Sequence, residues 1–203
     1  MIKKIISVFF FLLTVGCNSQ SLDYRVLKFI NQGSLPNWDK TMKGVSFSVY
    51  PAMPITAIGI WSHGFFKKDK TMMRNGYRST TSIGLAIALS MGLKYVVNRP
   101  RPFVEYPSSI IKRDDVGPYS FPSGHTTSAF ATATAISLSY KKWYITVPAY
   151  VYAAFVGYSR MRLGAHYPSD VFGGIITGIG SGLLVWKLDK LLIASRSKSN
   201  TNE

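Results

Sequence analysis

Three short clusters in the middle of the chain carry residues able to grip and attack a phosphoryl group. The first reads Lys94-Tyr-Val-Val-Asn-Arg-Pro-Arg101-Pro102, the second Pro122-Ser123-Gly124-His125, and the third Ser159-Arg160-Met-Arg-Leu-Gly-Ala-His166-Tyr-Pro-Ser-Asp170. The chain has 3 histidines, and two of them stand in these clusters. Around the two imidazoles lie the cations Lys94, Arg101 and Arg160, two glycine-associated turns and the carboxylate of Asp170. Phosphoryl transfer asks for a nucleophile in line with the leaving oxygen and for positive groups around the remaining phosphate oxygens. Ser123 reads as the cap of a helix whose first N–H groups and dipole form an anion site. Gly124 lets the backbone come close to the anion. Each feature also has a plainer reading: a turn capping a helix, a structural histidine, exposed cations, and an aspartate placed at a helix start near Pro168.

The elements that must hold these clusters are apolar. Five segments, 45–66, 80–97, 126–140, 144–158 and 171–188, show no strand alternation, and Gly, Ala and Ser are dispersed through them. That composition suits close helix packing. Several are only 15–18 residues long, at or below the ~17–25 that a bilayer span needs. Pro51, Pro54 and Pro148 are expected to start or kink their helices. Residues 21–43 suit a short amphipathic helix, interrupted near Gly33 to Pro36, lying on the membrane surface or closing over the site. No repeat or low-complexity stretch is present.

The N-terminus reads Met-Ile-Lys-Lys, then an apolar run over 5–15, then Gly16-Cys17. Two readings stand for residues 1–17: a secretory signal of lipoprotein type, with lipidation at Cys17, or a short first transmembrane helix. Residues 18–203 are then a single helical domain. With 1 cysteine, no internal disulfide can form.

The formal charge of +15 fits anionic partners. Nucleic acid is excluded as the favoured one, because the cations are scattered at segment ends instead of massed on one face. Lys67, Lys68, Lys70, Arg74 and Arg78 fall between the first two segments, Lys141 and Lys142 between the third and fourth, and Lys187, Lys190, Arg196 and Lys198 near the C-terminus. If the segments span, these groups share one side, which the positive-inside rule makes cytoplasmic. The three clusters then face outward, to the periplasm of a bacterial inner membrane. A soluble bundle with solvated basic faces is the alternative, compatible with a mean hydropathy of +0.12.

Taken together and in order, the clusters resemble the signature of the type-2 phosphatidic acid phosphatase superfamily, which includes lipid phosphate phosphatases, bacterial acid phosphatases and vanadium haloperoxidases. Its pattern is Lys, six residues, Arg-Pro; Pro-Ser-Gly-His; Ser-Arg, five residues, His, three residues, Asp. Six residues separate Lys94 from Arg101 and four separate it from Arg99, so Arg101 is the match. The resemblance implies an all-α bundle, membrane-embedded with five or six spans. It implies His166 as the nucleophile, forming a phosphohistidine, with Asp170 orienting the ring. It implies His125 as general acid and then base, and Lys94, Arg101, Ser123, Gly124 and Arg160 as the phosphate site. Arg99 and Arg162 have no family match and read as supporting or headgroup contacts; His63 reads as structural or interfacial. The 9 acidic residues form no cluster with metal-ligand spacing, so neither metal nor other cofactor is expected, and no obligate protein partner is evident.

The resulting expectation is a metal-independent phosphatase acting on a phosphomonoester or pyrophosphate of a membrane lipid. A soluble or lipid-anchored nonspecific acid phosphatase shares the same residues. So, with less support, do a lipid-to-lipid phosphotransferase and a vanadium haloperoxidase, while a non-catalytic lipid-binding bundle would not need the two histidines and the aspartate.

Overall fold

The computed structural model describes residues 16–33 and 35–199, with side chains over 22–33 and 35–195. The expectation for residues 1–17 lies outside the described residues, apart from the backbone at 16–17. Among the described residues every regular element is a helix: α1 Gly16–Asn31, α2 Pro36–Phe47, α3 Val49–Phe66, α4 Lys70–Val97, α5 Pro102–Glu105, α6 Gly124–Tyr140, α7 Trp143–Arg162 and α8 Pro168–Ser199.

Among the boundaries that differ from the hydropathy reading, two have a clear local reason. The apolar stretch 45–66 is divided at Ser48, because Pro51 has no N–H to give the Phe47 carbonyl. Helix α4 starts well before the apolar run at 80. Asp69 caps it, accepting from the Thr71 amide at 2.8 Å and the Met72 amide at 3.0 Å. Its basic first turns hide it from a hydropathy count. The break between α1 and α2 falls where Gly33 takes φ 73°.

Helix α6 is the axis of the bundle, enclosed by α3, α4, α7 and α8. Apart from Phe130, its buried residues are Ala, Ser and Thr. The hydroxyls of Thr127, Thr132, Thr134 and Ser139 each bond the carbonyl four residues back, so small polar side chains are buried without orphaned groups. Large apolar side chains point the other way: Ile55, Ile58, Val96, Val147, Phe172 and Ile176 are all exposed. An apolar exterior of this extent belongs in lipid. Three stretches, Pro36–Phe66, Lys70–Glu105 and Pro168–Ser195, are long and apolar enough to cross a membrane. The protein is therefore a membrane-embedded helical bundle. Helices α6 and α7, of 17 and 20 residues, complete it from the inside and the flank.

A glycine seam sets how closely α8 meets α6. A Cβ at Gly174 would stand 2.8 Å from the Ser123 carbonyl oxygen, at Gly178 2.9 Å from the Ala131 nitrogen, and at Gly182 2.6 Å from Thr134 Cγ2. Only hydrogen fits at these positions. The approach lets the Ser123 amide donate to the Asp170 carbonyl at 3.0 Å, which joins the second and third clusters.

The turns after α3 and α6 and the distal part of α8 lie at one end of the bundle. There Asp189 of α8 accepts from Arg74 (2.7 Å) and Arg78 of α4, and His63 stacks on Tyr140 with centroids 5.7 Å apart. His63 is exposed, at the end away from the clusters. All three clusters lie at the opposite end. Replacing Gly178 with Val should destabilise the bundle by about 1–3 kcal/mol or more through overpacking. Gly180→Ala, with nothing within 4 Å, should be neutral or slightly stabilising. Thermal unfolding of the two variants in detergent checks the contrast.

Candidate active site

A cavity of about 360 Å³ opens where the clusters meet, lined by Lys94, Arg101, Gly124, His125, Arg160 and His166 together with Ser90, and with Tyr50, Met53, Ile87 and Met91 on its outer wall. Six of the sequence-predicted site residues therefore share one space. Two do not reach it. Ser123 occupies the N-cap position of α6 but makes no side-chain capping bond. It is wholly buried, its hydroxyl accepting from Thr126 Oγ1 at 2.8 Å. Its contribution is thus the backbone that starts α6, not a side-chain ligand. Asp170 stands behind His166, fully buried.

Lys94 and Arg101 are aimed by main-chain carbonyls. Lys94 Nζ donates to the carbonyls of Pro122 (2.8 Å) and Tyr119 (3.2 Å). Arg101 Nε donates to the Gly117 carbonyl at 2.9 Å, and its Nη1 to the Ala165 carbonyl at 2.8 Å. Arg160 is held differently. Its Nη1 bonds Ser46 Oγ (2.6 Å) and Asp114 Oδ2 (2.7 Å), while its Nε and Nη2 are buried without a partner. His125 Nε2 and the Ser90 hydroxyl are likewise buried and unpartnered. Buried polar groups are nearly always bonded, so this convergence on one cavity marks where a ligand's acceptors belong. A Cβ at Gly124 would lie 3.7 Å from Ser90 Oγ and 4.0 Å from Lys94 Cε. No neighbour forbids it; it would stand at the edge of the cavity.

The His166 ring is oriented from both sides. Arg101 Nη1 lies 2.9 Å from Nε2. Because arginine can only donate, Nε2 carries the lone pair and Nδ1 the proton. Nδ1 faces Asp170 Oδ2 at 3.6 Å, just beyond hydrogen-bond contact. The carboxylate is itself fixed: Oδ2 accepts from the Tyr167 amide (2.9 Å) and from the Ser120 hydroxyl, and Oδ1 from Arg99 Nη1 (2.9 Å). Asp170 is therefore both a helix-start aspartate and the group behind the histidine. His166 lies in the connection between α7 and α8. Burial, then the Arg101, Arg160 and Lys94 charges, holds its imidazole well below the ordinary pKa, so the ring is neutral at physiological pH, with its lone pair toward Arg101.

Arg99 and Arg162 are both supporting residues. Arg162 is buried, with Nε on Asp39 at 2.7 Å and its other donors on the carbonyls of Ile30, Gln32 and Gly33. All three of its nitrogens are bonded, and it does not line the cavity. Ser90, Ser120 and Asp114 were missed by pattern reading. Ser90 alone had a legible signal: it precedes Lys94 by one helical turn and shares its face.

This geometry defines a class: a helical membrane protein with a polarised anion pocket and a neutral imidazole at its wall. The chain belongs to the PAP2 superfamily, whose model matches residues 77–193. It is 30% identical over 174 residues to the undecaprenyl-diphosphatase BcrC of Bacillus subtilis, covering 84% of this chain and 86% of that one. It is 27% identical over 196 residues to a lipid A 4'-phosphatase of Bacteroides thetaiotaomicron, covering 89% and 82%. The solved transmembrane PAP2-type phosphatidylglycerolphosphate phosphatase of B. subtilis superposes with a TM-score of 0.71 at 26% identity, covering 91% of this chain and 95% of that one.

The Arg160–Asp114 pair yields a direct test. Asp114→Ala strands a buried guanidinium, which should cost about 3–5 kcal/mol of stability. Added orthovanadate should restore more of the melting temperature in this variant than in the wild type, since an anion can take the lost carboxylate's place.

Proposed function

We propose that the protein hydrolyses the phosphate or diphosphate ester of a membrane lipid through a phosphohistidine on His166. The observation that carries this reading is the set of buried, unpartnered groups on Arg160, His125 and Ser90 around a neutral imidazole. In the reaction, Arg101 turns a donor from the ring to a phosphoryl oxygen, and Lys94, Arg160 and the first amides of α6 take the others. His166 Nε2 then attacks phosphorus as the P–O bond to the lipid breaks. Asp170 steadies the charge that develops on the ring. His125 gives its proton to the departing oxygen and afterwards removes one from the water that releases phosphate. The incoming dianion favours the imidazolium form that this donation needs.

The lipid reading is supported by the outer wall of the cavity. Tyr50 and Met53 on α3 face Ile87 and Met91 on α4 across it, and Tyr50, Ile87 and Met91 are exposed on the bilayer side. A headgroup can occupy the polar floor while its chains stay in the membrane. The relatives that match most of the chain are named for an isoprenyl diphosphate and for lipid A, so undecaprenyl diphosphate is the first substrate to assay. A panel adding lipid A, phosphatidylglycerol phosphate and phosphatidic acid ranks the rest. The basic end of the bundle supports a cytoplasmic placement, with the site on the periplasmic side of the inner membrane. Lipidation at Cys17 would add an anchor to residues 18–203.

His166→Ala should abolish phosphate release from purified, folded protein in detergent; turnover retained there would reject the nucleophile. His125→Ala should lose far less on a diphosphate, whose phosphate leaving group needs little protonation, than on an alkyl phosphomonoester. Equal losses on the two would refute the acid role. Ser90→Ala removes one phosphate donor, and since a hydrogen bond to a charged group is worth about 1.5–3 kcal/mol it should cost roughly one to two decades in kcat/KM.

A further inference from the structure

Helix α1 precedes the family-matched residues, and three features tie it to the site end. Tyr24 donates to Ser109 Oγ at 3.0 Å. Leu27 packs with Ile110 and Tyr167. The Asn31 side chain accepts from the Ile111 amide at 2.7 Å and donates to the Arg162 carbonyl at 2.9 Å. These contacts seat the helix. Asp23 does something else. It is 7% exposed, and both of its oxygens are committed to residues beside the catalytic carboxylate. Oδ1 accepts from the Ser169 amide at 3.0 Å, and Oδ2 from the Ser169 hydroxyl and from Arg99 Nη2 at 3.1 Å.

Ser169 stands in the first turn of α8, where amides lack an intrahelical partner. Asp23 thus caps α8 from a different helix, one residue before Asp170. Through Arg99 it reaches Asp170 a second time, because Arg99 Nη1 bonds Asp170 Oδ1 at 2.9 Å and Ser169 Oγ at 2.6 Å. The Arg99 guanidinium also lies on the Tyr167 ring, 4.0 Å from its centroid, which limits where it can move. Hydrogen bonds link Asp23 to Arg99 and Arg99 to Asp170, whose Oδ2 stands 3.6 Å from His166 Nδ1.

We propose that Asp23 is a positioning residue of the active site: by sharing Arg99 with Asp170, it sets the distance between that carboxylate and the His166 ring. The inference rests on the reading of His166 as nucleophile. Without the Asp23 charge, Arg99 has Asp170 as its single carboxylate partner and draws it away from Nδ1, already 3.6 Å distant. The imidazolium charge of the transition state then loses support. Asp23 does not line the cavity, so ground-state binding is untouched.

The test is steady-state phosphate release from undecaprenyl diphosphate in detergent micelles, using the full chain below its melting temperature. Asp23→Asn should lower kcat on the order of tenfold with KM unchanged, as expected for misplacement of a catalytic group. In an Arg99→Gln background the same substitution should have no further effect on kcat. Tyr24→Phe, which cuts another tether of α1, should lower the melting temperature and leave kcat alone. Wild-type kcat in folded Asp23→Asn, or losses that add to those of Arg99→Gln, would overturn the proposal. Asp23→Ser reads the same way if the Asn variant does not fold. His166→Ala, run alongside, separates the two layers: turnover there ends the nucleophile reading. A dead His166→Ala beside a fully active Asp23→Asn ends only this one.

Discussion

Arg160 is fully buried, yet only one of its three guanidinium nitrogens is bonded. A charge taken so far out of water is tolerated only when it is paired. Here the pairing is partial: Asp114 and Ser46 hold one nitrogen, the other two are buried without a partner, and the residue lines the cavity. The rest of the site end answers to that constraint. Lys94 and Arg101 are steadied by neutral carbonyls, which aim their donors without cancelling their charge. The carboxylate nearest the His166 ring is shared with Arg99. What results is a low-dielectric wall with a surplus of positive charge, where a phosphate dianion gains far more than it would in water.

The gathering of these side chains was legible in the sequence. Lys94, Arg101, His125, Arg160 and His166 come from three separated clusters, and the fold brings them to one cavity with Asp170 behind it. Gly124 was legible as well, although for the space it leaves and not for any steric demand of its neighbours. Ser123 was misjudged because a serine before Gly-His looks like a side-chain cap, whereas tight α6–α8 packing seals its hydroxyl against Thr126. The supporting layer could not be read at all. Asp114 and Asp23 lie in no pattern, and their roles exist only because the fold brings 114 onto 160 and 23 onto 99. Long-range pairing of this kind leaves no local periodicity to detect.

The helices themselves were legible as apolar segments, but their packing logic inverts the usual soluble pattern. Ala, Ser and Thr fill the centre while large side chains face outward, so a hydropathy plot marks α3, α4 and α8 and underrates α6. The residues with the least apolar character surround the axis because they permit the closest approach. Their hydroxyls are absorbed by their own helix, and the glycine seam of α8 then carries Asp170 to the start of α6.

One detail bears on how such a protein can diverge. The segment joining α5 to α6 supports Lys94 and Arg101 through the oxygens of Gly117, Tyr119 and Pro122. Those contacts read the path of the chain and are indifferent to most side chains along it. Point changes at the pocket rim can therefore accumulate and retune which headgroup is admitted, while an insertion or deletion of even one residue would swing the carbonyls off the cations. Selectivity in this scaffold is free to drift by substitution and is closed to drift by length.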